Sequence, residues 1–88
     1  MNRREILEGI AAVAREHLDF QGELAEDQHL VEDLTLDSIR LLTLAAEVEN
    51  RFRVALDAED EAGIETVGDL VDVLEAKLAA AAPENPAP

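Results

Sequence analysis

The sequence predicts an all-α protein: a small three-to-four-helix bundle with a long loop between the first two major helices. Three observations carry that prediction. Apolar residues recur at the helical period in three separate segments. No segment shows the strict alternation of a half-buried strand. The connection over residues 19–36 is too long for a simple turn, yet it is studded with leucines.

The first helix is expected over residues 3–18, RREILEGIAAVAREHL, where Ile6, Ile10, Val13, Ala14 and His17 share a face flanked by Leu7 and Leu18. Gly9 weakens its intrinsic helix preference. In the connection, Leu24, Leu30, Val31, Leu34 and Leu36 are expected to peg the loop across the helices, with a short turn near residues 30–34. The second helix runs from about Ser38 to Arg51, with Asp37 as its cap. Leu41, Leu44, Ala45, Val48 and Phe52 follow the helical period and should face the core, opposite Arg40, Thr43, Glu47 and Arg51. Ile39, Leu42 and Ala46 form an additional apolar edge, which suits either a partner or ligand surface or a stripe packed under the long loop.

After it, LDAEDEAG is expected to make one short helical turn capped by Asp57 and ending at Gly63. Its acids do not form a calcium loop, since Ala62 stands where such a loop needs glycine and Gly68 where it needs glutamate. Thr66 and Asp69 form a short-side-chain version of a capping box, opening a last helix through about Ala80 with Val67, Leu70, Val71, Leu74 and Leu78 buried. Residues 1–80 therefore read as one domain, and residues 81–88 as a proline-rich disordered tail.

Composition narrows the function classes. The 88 residues carry 21 acids against 7 Lys and Arg, a net charge of -14. Residues 16–39 and 57–75 hold eight acids each and no Lys or Arg. Such a surface repels nucleic acid and anionic lipid and attracts partners with basic patches. No apolar run approaches the roughly 20 residues that cross a bilayer. The expectation is a soluble cytoplasmic protein that neither binds nucleic acid nor inserts in membranes. With no cysteine and two well-separated histidines, His17 and His29, no metal site is expected. A core this small leaves no room for a useful pocket, and no catalytic set converges in the sequence.

Ser38 stands out by position. In the first turn of a helix, a phosphate on its oxygen would meet free backbone N–H groups and the positive end of the helix dipole. A simple capping role for Asp37 and Ser38 is the plainer reading of the same two residues.

The stretch LVEDLTLDSIRLLTLAAEVENRF is similar to the signature of acyl carrier proteins. The shared features are the triplet Asp37, Ser38 and Ile39; Leu30, Asp33, Leu34 and Leu36 before it; and Glu47, Glu49 and Phe52 behind. A second family segment matches Thr66, Val67, Gly68 and Asp69, and the resemblance spans about residues 5–79. It implies that Ser38 accepts a 4'-phosphopantetheine arm from coenzyme A, that Asp37 supports the metal-dependent transfer, and that the chain is a non-catalytic carrier whose cargo rides on the arm's thiol. The implied partners are a phosphopantetheinyl transferase and an acyl-loading enzyme, ketosynthase or acyltransferase with basic docking patches, met by a monomeric carrier. Arg40, Leu42, Thr43, Ala46 and Glu47 would be recognition positions.

The sequence departs from the fatty-acid pattern at several places. Arg40 and Thr43 stand where acids are common, AAEVEN replaces a denser glutamate cluster, and Thr35 replaces a glycine. These differences point to a specialised pathway such as polyketide synthesis. Glycine pairs typical of peptidyl carriers are absent before Ser38. The start at Met1 and the lack of long linkers suggest a discrete carrier. The alternatives are a fatty acid carrier or an unmodified acidic interaction module in which Ser38 only caps.

Overall fold

A computed structural model describes residues 2–81, which form four helices: α1 (Arg3–His17), α2 (Ser38–Phe52), α3 (Ala58–Ala62) and α4 (Val67–Ala81). The expected ends shift by one residue. Leu18 caps α1, Phe52 closes α2, and α4 extends through Ala81. The rest of the expected tail lies outside the described residues.

Local chemistry explains each helix start. Asn2 and Glu5 form a reciprocal capping box on α1, as do Asp57 and Asp60 on α3. On α4, Asp69 N–H donates to Thr66 Oγ1 at 3.0 Å while Thr66 N–H donates to Asp69 Oδ2 at 3.1 Å. Glu65 N–H also donates to that carboxylate, and these two backbone donors hold the Asp69 carboxyl below its ordinary range.

The helices share one core, with Ile6, Ile10, Val48, Val67, Val71 and Leu74 almost wholly buried. Each such side chain contributes about 1.5–3 kcal/mol relative to exposure. Gly9 explains itself here: it faces Phe52 and Arg51, and α1 and α2 run in opposite senses, so that His17 reaches Glu47 at 3.4 Å.

The long connection is fastened chiefly to α4. Leu30 N–H donates to Glu65 O at 3.0 Å, Val67 N–H to Gln28 O at 2.9 Å, and Gly68 N–H to Glu26 O at 2.8 Å. A β-carbon on residue 68 would stand 3.0 Å from that Glu26 oxygen, so this close crossing favours glycine. Leu24, Leu30, Leu34 and Leu36 are buried pegs as expected, but Val31 is 58% exposed. It lies within the turn at residues 30–33 and points away from the core.

Two ion-pair sets complete the frame. Arg3 bridges Glu26 at 2.5 Å, Asp72 at 2.6 Å and Glu75 at 2.9 Å, tying the start of α1 to the loop and to α4. These three carboxylates, Glu26 first, raise the guanidinium pKa further above its already high value. Lys77 reaches Asp60 at 2.7 Å, joining α4 to α3 and holding the Asp60 carboxyl low.

Candidate functional site

The loop delivers the chain to Ser38 through a tight turn. Asp33 N–H donates to His29 O at 2.9 Å, and the Asp33 side chain accepts from His29 N–H at 2.7 Å. Leu34 and Leu36 then sink into the core on either side of Thr35, which adopts the left-handed conformation with φ of 56°. Its hydroxyl donates to Leu34 O at 2.6 Å. Left-handed backbone is unusual for a β-branched residue, so the turn is strained just before the helix.

Asp37 caps α2 as expected, its Oδ1 accepting from Arg40 N–H at 2.9 Å. Ser38 is the first helical residue and is exposed. Its own N–H and that of Ile39 lie ahead of the first intrahelical acceptor, so donors and the positive end of the helix surround the hydroxyl.

Beside Ser38 opens a groove of about 390 Å³, lined by Leu30, Leu41, Leu42, Leu44, Ala45, Leu56, Ile64 and Leu70, with Ser38 and Glu61 supplying the polar groups. The expectation that no useful pocket fits inside so small a core did not extend to such a surface groove. The space lies between α2, the α2–α3 connection and α4 rather than within the core. It also explains why Leu41 and Ala45, expected in the core, are only half-buried. Sequence reasoning missed the contributions of Leu56 and Ile64. Their signal was an apolar residue on each side of the short acidic helix.

The remaining singled-out residues fall on the outer face of α2. Ile39 is 74% exposed and Leu42 64% exposed, so they do not form a stripe under the loop. Arg40 and Ala46 are exposed beside them. Thr43 is half-buried, its hydroxyl donating to Ile39 O at 3.1 Å. Glu47 is also half-buried and turns toward His17 on α1. Among the described residues no cluster of three metal-ligating side chains occurs.

Residues 5–74 match the family model for the phosphopantetheine attachment site, and Ser38 lies inside that match. The chain belongs to the acyl carrier protein family. It is 33% identical over 76 residues to the meromycolate extension acyl carrier protein of Mycobacterium leprae, covering 85% of this chain and 66% of that protein. The chain thus spans just under two thirds of that relative's length. The acyl carrier protein of Thermotoga maritima is 35% identical over 78 residues, covering 88% of this chain and 96% of that protein. Solved structures agree. A candidate acyl carrier protein from Mycobacterium tuberculosis superposes with a TM-score of 0.71 at 32% identity, over 85% of this chain and 96% of that one. The carrier protein of Enterococcus faecalis gives 0.70 at 31% identity, over 88% and 99%.

The candidate site in this chain thus combines an exposed serine at a helix start with an apolar groove that the same serine lines. The residues present fit a 4'-phosphopantetheine arm. The helix start suits its phosphate, and the groove suits an apolar chain leading away from it.

Proposed function

We propose that the chain is a carrier whose Ser38 bears a 4'-phosphopantetheine arm. The observation that supports it best is the exposure of Ser38 on the rim of an apolar groove at the start of α2. In the attachment step the Ser38 oxygen bonds to the phosphorus of coenzyme A that bears the pantetheine. Adenosine bisphosphate leaves, and the serine proton passes to a base of the transferase.

Once attached, the arm supplies a terminal thiol that holds acyl groups as thioesters, which accounts for a carrier that contains no cysteine. Asp37 fixes the first turn and so the direction of the Ser38 hydroxyl. The free N–H groups of that turn stabilise the phosphodiester charge. Leu41, Leu42, Ala45, Leu56 and Ile64 shield an apolar cargo from water, while other enzymes perform the chemistry.

The partners in this reading are a phosphopantetheinyl transferase and an acyl-loading enzyme, ketosynthase or acyltransferase. Their basic patches meet the acidic approach to Ser38 and the acidic α3. The carrier acts as a monomer in the cytoplasm. No helix among the described residues is long and apolar enough to cross a membrane. Arg40 and Thr43 favour a specialised acyl pathway such as polyketide synthesis. The mycobacterial relatives' name favours a second reading, a carrier in fatty acyl chain extension.

Intact-mass analysis after incubation with coenzyme A, magnesium and a broad-specificity transferase tests the attachment. The wild type should gain one phosphopantetheine and Ser38→Ala none. A folded wild type that gains nothing, beside a known carrier modified under the same conditions, would leave the unmodified interaction module as the better account.

A further inference from the structure

Three of the four helices open on a reciprocal cap in which the third helical residue returns a carboxylate to the capping residue. Glu5 does this for Asn2, Asp60 for Asp57 and Asp69 for Thr66. In α2 the third residue is Arg40, and the first turn contains no acid. A cation is the wrong sign for that end of a helix.

The anomaly extends along α2. Residues 38–52 contain Arg40 and Arg51 against Glu47 and Glu49, a net charge of zero in a chain of -14. Both glutamates are engaged within the protein. Glu47 lies 3.4 Å from His17, and Glu49 accepts from Leu56 N–H at 2.7 Å. Among the described residues Arg40 and Arg51 make no ion pair, as is also true of Arg15 and Arg53, whereas Arg3, Arg4 and Lys77 do. Of the unpaired four only Arg40 stands in the first turn of a helix, at its positive end. Spacings of seven and eleven residues put Glu47 and Arg51 on the same side of the helix as Arg40. The outer face of α2 thus presents exposed Ile39 and Leu42 beside an uncompensated cation, with the acids Glu32, Asp33 and Asp37 on the approach to Ser38.

We propose that the transferase installing the arm docks on this face with an apolar pocket for Ile39 and Leu42 and a carboxylate opposite Arg40. The inference rests on attachment at Ser38. An enzyme that reaches the Ser38 oxygen must cover the first turn of α2, and Arg40 lies within that turn. A uniformly basic docking face would set like charge against it. A face with both signs, basic toward the acidic approach and acidic toward Arg40, complements the whole surface and fixes its orientation on the carrier.

The test uses the transferase encoded in the same genome, with coenzyme A, magnesium and the full chain. Initial rates are measured by intact mass over a range of carrier concentrations. Wild type is compared with Arg40→Gln and Arg40→Glu, and circular dichroism confirms that each is folded. The KM for the carrier should rise about tenfold in Arg40→Glu and less in Arg40→Gln, with kcat little changed, and the difference should shrink as salt is raised. A modified wild type with an unchanged or lower KM in Arg40→Glu overturns the docking geometry alone. So does a loss confined to kcat, which would make Arg40 a positioning residue for Ser38. A wild-type dimer lost in Arg40→Glu, with KM unchanged, would assign the face to a second copy of the chain and equally overturn the proposal. A wild type that gains no arm overturns the attachment and the docking together.

Discussion

The ring of Phe52 occupies the space that a side chain at Gly9 would need: a β-carbon there would stand 2.5 Å from the ring Cζ. Gly9 is therefore a packing residue in the middle of α1, at a cost in intrinsic helix preference of about 1 kcal/mol relative to alanine. Gly9→Ala recovers that preference but crowds the ring, and overpacking costs about 1–3 kcal/mol. The variant should lose stability by about 1 kcal/mol in urea denaturation. In a Phe52→Leu background the same change should be neutral or favourable, and the double-mutant cycle measures the contact.

Thr35 offers the opposite case. Its left-handed backbone costs an L-residue roughly 1–2 kcal/mol, while glycine's greater loss of freedom on folding costs about 0.5–1 kcal/mol. Thr35→Gly should raise stability by about 0.5–1 kcal/mol. A decrease would show that the hydroxyl bond to Leu34 O outweighs the backbone strain.

Arg40→Glu should stabilise the unmodified chain, by about 0.5–1 kcal/mol, because the new carboxylate would accept from the Asp37 N–H and complete a reciprocal cap of the correct charge. Thermal unfolding of the apo protein reads this directly. Greater stability combined with a higher KM for the transferase would identify Arg40 as a residue whose placement serves recognition at the expense of the fold.

The Asp69 carboxyl is held below its ordinary value of 3.8. A depressed carboxylate stabilises the fold above its unfolded pKa, and that contribution disappears as pH falls through the folded one. Acidification also relieves the repulsion of a chain with a charge of -14, so the wild-type curve alone mixes two effects. The informative quantity is the stability difference between wild type and Asp69→Asn. It should be constant above about pH 5 and shrink below the ordinary value. A difference independent of pH would remove the ionised carboxylate from the account of the α4 cap.

The helices and their caps were legible because their signals are local. The apolar stripe of α1, the cap at Asp57 and the pair Thr66 with Asp69 all lie within one or a few turns of chain. The position of Ser38 at the start of α2 was legible from the capping aspartate before it. The groove was not, because its walls come from Leu30, α2, Leu56, Ile64 and Leu70, brought together only by the tertiary fold. Arg3 was equally silent: its three carboxylates lie 23, 69 and 72 residues away. Leu41 and Ala45 obey the helical period but face the groove, since periodicity marks an apolar side and not what covers it.

The fastening of the loop to α4 gives the chain a schedule. The segment that leads into Ser38 is held by backbone bonds from Glu26, Gln28 and Leu30 to Glu65, Val67 and Gly68. During synthesis, therefore, the serine emerges from the ribosome long before the residues that hold its approach in place. A nascent chain ending before residue 65 displays the Asp37–Ser38–Ile39 triplet without the surface around it, and should be a poor substrate for the transferase. On the proposed attachment at Ser38, completion of the last helix would act as a checkpoint, leaving only a finished carrier fit to receive the arm.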